Sequence, residues 1–388
     1  MSVFERAFLD PLQRCSRCIL PNTLHGIKFD ADGVCNYCRQ FEKDFANWNQ
    51  IAERKQSEFE TLLEHARKLK RHYDCLVPLS GGKDSTFALY LACKIYNLKC
   101  LAVTYDNGFL TQPAKTNIAN ALAATTADHI FYYMNKKTTV DMFRTFLIKT
   151  GEFCNSCMRG INYSIEMAAK TWKIPLVIKG SGRRVQYVSQ IEELSGLNTP
   201  SFVKNVTRNE KVERQVHQLS SDRLHLEMQK IAGGICDVIG IPRFRLMRFS
   251  TQYVGMYDYI YKPYPEIVKI LEDEMGWRSA HDSVEHLDCD LHGIPFYIQT
   301  LVIPGITSET LRNSALIRQG IMTREEALCI EKEKLAQPPE PAELKIFLQE
   351  TGLAKQQFDT LVRQGDASQF ESRFQKKIRK LYHQYRKW

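Results

Sequence analysis

No stretch of this 388-residue sequence stays apolar long enough to span a bilayer. The opening MSVFERAFLDPLQRC lacks an apolar core behind basic residues, so it does not read as a secretory signal. Internal repeats and low-complexity segments are also missing. What is left, 44% hydrophobic and 25% charged residues, is ordinary for a soluble globular chain. The length suits one large domain or two to three smaller ones. A cytoplasmic location is expected.

A disulfide framework is the next absence. Six of the twelve cysteines form three Cys-x-x-Cys pairs: Cys15/Cys18, Cys35/Cys38 and Cys154/Cys157. In a chain this long without a signal, such pairs point to metal or redox sites in a reducing compartment. Cys75, Cys93, Cys100, Cys236 and Cys329 lie in or beside apolar stretches and are expected as small core residues. The formal charge of +9 is local: residues 371–388 carry seven Lys/Arg and one acid. That tail reads as a charged surface or partner-contact helix, with anionic-surface or nucleic-acid binding as the alternative.

From Tyr73 strands and helices alternate. The strand candidates are DCLVPLS, KCLAVTYD, HIFYYM and IPLVIKG; the helices between them are STFALYLACKIY, PAKTNIANALAAT and CMRGINYSIEMAAKTW. This pattern predicts parallel βαβ units, hence an α/β doubly wound sheet with ligands at the carboxyl ends of its strands. The expected organisation is a cysteine-rich segment (1–45), an α/β core (46–182), an insertion or lid (183–240), a completion of the core (241–335) and a helical basic region (336–388). YPEIVKILEDEMGW reads as an amphipathic helix, and Thr323 with Glu326 opens another through a capping box.

The first strand runs into Ser-Gly-Gly-Lys-Asp-Ser, residues 80–85, and then a helix. A glycine turn at a helix start gathers backbone N–H groups at one point, where an anion such as phosphate fits. Two familiar phosphate motifs are absent. Walker A needs glycine where Val77 stands and a hydroxyl where Asp84 stands; G-x-G-x-x-G is met neither here nor at residues 180–185. The six residues instead resemble the loop of the PP-loop ATP pyrophosphatases, the superfamily of GMP synthetase, argininosuccinate synthetase and the tRNA thiolases. The resemblance implies that ATP is cleaved between its α and β phosphates. Ser80, Gly81, Gly82 and Ser85 would then cradle pyrophosphate, with Lys83 adding charge and Asp84 holding Mg²⁺ or ordering the loop. Lys83, Asp84 and Ser85 become the catalytic candidates. Tyr105 and Asp106 would meet the adenosine, and Gly180 and Ser181 would border the cleft.

The spacing of Cys15, Cys18, Cys35 and Cys38 is that of a tetrahedral structural zinc site, closed to catalysis because four protein ligands fill it. Cys154 and Cys157 need a third partner. Candidates are Cys289, His286 and His292 in EHLDCDLHG. Resemblance to the tRNA thiolases implies Cys154, Cys157 and Cys289 as a second zinc or iron–sulfur site; a pair that merely helps fold a loop is the alternative.

CSRCILPNTLHGIKFDADGVCNYC, with LEDEMGWRS, EHLDCDLHG and SALIRQGIMTREEAL, resembles the N-acetyl sugar amidotransferases of bacterial surface-polysaccharide (lipopolysaccharide) biosynthesis. The resemblance is weakest at about 183–240. It implies that the acetamido oxygen of an N-acetylated, nucleotide-linked sugar is adenylated and that ammonia displaces AMP to leave an amidine. Residue 2 is Ser, and no Gly-x-Cys-x-Gly elbow occurs, since GICDV fails at its last position. Ammonia is therefore expected from a partner glutaminase. The competing expectation is a PP-loop tRNA thiolase. No recognisable RNA-binding domain precedes the loop, which disfavours a nucleic-acid partner.

Overall fold

Strand β1 (Cys75–Pro78) shows why this chain folds in layers: successive residues enter different cores. Cys75 and Val77 face one cluster and Leu76 the other. The same alternation runs along β2 (Cys100–Asp106) and β4 (Leu176–Lys179). Side chains of a strand alternate between faces, so continuous apolar runs demand cover on both. The computed structural model describes residues 12–24, 26–45, 47–182, 199–220, 243–279, 288–336 and 340–371. Much of the expected lid, together with Cys236, His286 and the tail beyond residue 371, lies outside these residues.

The cover comes from the intervening helices. We number the main elements in chain order: α1 (Asn36–Phe45), α2 (Trp48–Lys68), α3 (Lys83–Tyr90), α4 (Gln112–Ala123), β3 (Asp128–Tyr133), α5 (Lys136–Thr150) and α6 (Cys154–Thr171). After β4 come α7 (Pro200–Thr207), β5 (Gln252–Gly255), α8 (Tyr264–Met275), α9 (Gly293–Val302), α10 (Thr310–Arg318), α11 (Arg324–Ala336), α12 (Glu343–Thr351) and α13 (Lys355–Gln364). Helices α2, α3, α4 and α8 pack on one sheet face, through Phe59, Phe87, Ile118 and Leu271. On the other face α6 contributes Ile165, Ala168 and Ala169.

The sheet order is β3-β2-β1-β4-β5, and every pairing is parallel. The expected doubly wound α/β fold is thus observed. The chain leaves β1 toward β2 and β3, then returns to place β4 on β1's other side. That reversal opens a crevice at the carboxyl ends of β1 and β4. The sequence pattern yields four strands; the fifth, QYVG, is too short and too weakly alternating to read.

Helix starts follow their chemistry. The Thr111 hydroxyl accepts the Ala114 N–H at 3.2 Å, and Pro113 stands in the first turn of α4. Thr323 and Glu326 form the expected capping box at α11. A further core joins α5, α7, α9, α12 and α13. Of the expected lid, residues 199–220 bury Phe202, Val203, Val206 and Leu219 in this core. Cys75, Cys93 and Cys100 are buried as expected. Cys329 is a correction: it lies exposed on α11, whose buried face is marked by Ala327 and Glu331 two residues to either side.

Candidate functional site

The switch point is occupied by Ser80–Ser85. Gly81 adopts φ +81°, and a Cβ there would lie 2.4 Å from the Ala114 carbonyl oxygen, so only glycine fits. Gly82 caps α3, which places Lys83, Asp84 and Ser85 in the helix's first turn. The first helical amides have no partners within a helix, and the N-terminal end is partly positive. Hydroxyls tighten the turn: Ser80 and Ser85 oxygens are 3.2 Å apart, Ser85 Oγ donates to the Gly82 carbonyl at 2.9 Å, and Ser80 N–H donates to Ser85 Oγ at 3.2 Å.

The Lys83 ammonium lies 2.9–3.0 Å from the Asp84 carboxylate and over the Tyr264 ring, 5.1 Å from its centroid. Tyr257 OH donates to Asp84 Oδ1 at 2.6 Å. Burial, then the Asp84 charge, holds the Tyr257 phenol well above its ordinary range, so it stays a donor. Gly180 follows β4 and presses on α3: a Cβ would meet the Asp84 backbone at 2.4 Å. Ser181 is exposed, and its carbonyl accepts Tyr257 N–H at 3.1 Å. The loop residues and Gly180 are thus brought together, with Ser181 linked through Tyr257.

The other two expected nucleotide contacts are arranged differently. Asp106 is buried at the end of β2, accepts the Gly108 N–H at 2.7 Å and lies 3.7 Å from Lys115. The Tyr105 ring lies against Gly160 and stacks on Tyr132, with its OH 3.4 Å from the Met134 sulfur. Burial raises its phenol well above the ordinary range.

The residue after Asp106 was not singled out from the sequence. The Asn107 amide donates to Cys157 Sγ at 3.2 Å and lies 3.8 Å from Cys289 Sγ. Cys157 is in the first turn of α6; Cys289 pairs with Leu110 in a short antiparallel bridge. The stretch from the end of β2 into the first turn of α4 therefore reaches the phosphate-type loop at Ala114 and the thiols at Asn107. Burial raises the Cys154 and Cys157 thiols and brings Cys289 up to about 11. Glu152 caps α6 through the Asn155 N–H at 3.1 Å, and burial raises its carboxyl to about 7. Cys157 and Cys289 meet at Asn107, past the carboxyl end of β2, and with Cys154 they do not reach ligand spacing. Among the described residues, only Cys15, Cys18, Cys35 and Cys38 form a metal-type group with all sulfurs within 4.8 Å.

That N-terminal group fits zinc closely. Cys15 and Cys38 sulfurs are 4.0 Å apart, Cys18 and Cys35 3.8 Å. A tetrahedral ion with Zn–S bonds of about 2.3 Å sets its sulfurs roughly 3.8 Å apart. Backbone N–H groups of Arg17, Cys18 and Cys35 donate to Cys15 Sγ at 3.2–3.4 Å. Hydrogen bonds from the other three thiols drive Cys15 down toward the thiolate. Arg324 of α11 binds the Cys15 and Cys18 carbonyls at 3.2 and 3.0 Å, and Ile303, Ile306 and Leu311 pack beneath. The cysteine segment is thereby anchored to the C-terminal helices.

No known family model matches the chain. It is 30% identical over 169 residues to an uncharacterized protein of Methanocaldococcus jannaschii, a match that spans 43% of this chain and 58% of that protein. Among solved structures, it aligns with a U34-tRNA thiolase, NcsA, from Methanococcus maripaludis with its 4Fe–4S cluster. That alignment has a TM-score of 0.30 and 12% identity, covering 89% of this chain and all of the other. At that TM-score the likeness carries no functional argument. No helix of the described residues is long and apolar enough to cross a membrane.

Proposed function

We propose that the chain is an ATP pyrophosphatase-type enzyme that adenylates a carbonyl-type oxygen. The observation that carries this reading is the Ser80–Ser85 loop at the topological switch point, with Lys83 and Asp84 on the first turn of the following helix. The acceptor oxygen attacks the α-phosphorus of ATP, the bond to the bridging oxygen breaks, and pyrophosphate leaves with the electron pair. Loop amides, the Ser80 and Ser85 hydroxyls and Lys83 receive that charge where it develops. In this reading Asp84, which accepts the Tyr257 hydroxyl, would hold Mg²⁺, and the ion would neutralise phosphate oxygens. Asp106, fixed at the end of β2, lies on the sheet edge proposed to meet adenosine. The four N-terminal thiolates hold zinc as a structural ion.

The acceptor follows from the sequence blocks that resemble the sugar amidotransferases. In this reading it is the acetamido oxygen of an N-acetylated, nucleotide-linked sugar. Adenylation gives an O-adenylated imidate; ammonia adds to its carbon, AMP departs, and an amidine is left. A separate glutaminase supplies the ammonia. A second reading is favoured by a specific observation: Cys157 and Cys289 converge on Asn107 just past the end of β2, with Cys154 one turn before Cys157 on α6. Sulfur transfer to an adenylated RNA base would use a zinc or iron–sulfur site there, whereas amidation leaves these thiols without a chemical role. Pyrophosphate release decides between them. Release that depends on an N-acetylated nucleotide sugar and ammonium supports amidation; release that depends on tRNA, with sulfur incorporated, supports thiolation. ATP turnover to ADP with either acceptor would overturn both.

A further inference from the structure

The motif DEMGW has no role in the chemistry above, yet its last residue is built into the underside of the loop. Helix α8 ends at Gly276, which takes φ +60° and turns the chain inward. Trp277 is fully buried, and its indole N–H donates to the Gly81 carbonyl at 2.9 Å. Asn117 of α4 donates to the same carbonyl at 3.3 Å and to the Arg278 carbonyl at 2.9 Å, while accepting the Arg278 N–H at 2.9 Å. Asn120 adds a hydrogen bond to the Gly276 carbonyl at 2.7 Å. Gly276 and Arg278 are thus stapled to α4, and Trp277 between them to the turn itself.

The consequence follows from peptide geometry. In a trans peptide the carbonyl and the next N–H point in opposite directions. With the Gly81 oxygen held in the core, the Gly82 N–H must point to the open side; there it finds only the Ser80 hydroxyl, at 3.4 Å. The Gly81–Gly82 peptide is flanked by two residues without side chains, so little but these hydrogen bonds resists its rotation. A flipped peptide would aim a carbonyl dipole at a bound anion.

We propose that Trp277, seconded by Asn117, is a positioning residue: it locks the Gly81–Gly82 peptide so that its N–H faces the leaving pyrophosphate. The inference rests on the nucleotide-binding reading above. The test is substitution of Trp277 by β-(3-benzothienyl)alanine, which replaces the indole N–H by sulfur and keeps the shape. Trp277→Phe serves as a second variant. Magnesium pyrophosphate binding is measured by calorimetry beside the thermal midpoint. The isosteric variant is expected to bind about tenfold more weakly, the scale of one lost hydrogen bond, while its midpoint falls by no more than a few degrees because Asn117 still donates to the Gly81 carbonyl. A purely structural tryptophan would shift melting and leave affinity alone. Trp172→Phe, at an exposed ring stacked on His72, is expected to bind like the wild type. Unchanged affinity in both Trp277 variants overturns the positioning role while the nucleotide reading stands. Failure of the wild-type protein itself to bind magnesium pyrophosphate or ATP overturns that reading, and the positioning role with it.

Discussion

Replacing Gly180 by alanine is expected to disable the loop from behind. Gly180 ends the strand on the far side of the switch point, and an added Cβ would lie 2.4 Å from the Asp84 carbonyl carbon and oxygen and 2.7 Å from Ser85 N. Carbon contacts settle near ~3.5–4.0 Å, so the start of α3 must retreat by about 1 Å. The opposing atoms are backbone, tied by the Thr86 N–H to Gly82 carbonyl bond at 3.1 Å, and no side chain can swing aside. Gly180 has no left-handed torsion, so the cost is steric alone. Overpacking of this kind costs roughly 1–3 kcal/mol. At about 2–4 °C per kcal/mol for a large domain, the midpoint should fall by several degrees. The rate should suffer more, because displacing reacting groups by about 1 Å costs on the order of a hundredfold. The assay pairs a thermal melt with ATP-dependent pyrophosphate release. Gly82→Ala is the control: its Cβ would meet only the Ser80 hydroxyl, at 3.4 Å, and its melting should be close to wild type. A Gly180→Ala protein that melts and releases pyrophosphate like the wild type would refute the reasoning.

Lys83→Ala and Asp84→Ala should each abolish pyrophosphate release while the melting midpoint stays within a few degrees, since neither side chain belongs to the buried core; normal release from either would remove the loop from the chemistry. Cys15→Ser or Cys38→Ser should lower bound zinc by about one ion per chain and destabilise the segment anchored by Arg324, because apo four-thiolate sites seldom hold their fold. Elemental analysis with unchanged zinc would contradict this. In the amidation reading, this chain alone should form product with concentrated ammonium salt and not with glutamine; robust glutamine-driven turnover would end the split-enzyme proposal.

The parts legible in the sequence were those with local signatures. A strand, a glycine turn and a helix announce themselves within fifteen residues, and two Cys-x-x-Cys pairs specify a tetrahedron whatever lies between them. The parallel pairing follows from the alternation of strands and helices, but the fifth strand is four residues long and pairs with β4 across a separation of 76 residues, Leu176 with Gln252. Cys329 looked like core because its neighbours are apolar, whereas helical periodicity turns it outward. Trp277, Tyr257 and Asn117 reach the loop from sequence separations of 36 to 196 residues, through contacts that only the folded chain creates. Asn107 was adjacent to a residue already singled out, yet its role depends on Cys157, fifty residues on. Tyr105 illustrates the reverse: its place at a strand end suggested a ligand contact, and the alternation of the strand turns its ring toward α6.

The central claim is that a carbonyl-type oxygen of the acceptor becomes bonded to the α-phosphorus of ATP. The direct test supplies an N-acetylated nucleotide sugar carrying ¹⁸O in its acetamido group, with ATP, Mg²⁺ and ammonium, and reads the phosphorus resonances of the nucleotide products. AMP bearing ¹⁸O on phosphorus, formed in step with pyrophosphate, is the expected result; unlabelled nucleotide, or ADP with phosphate, would contradict it.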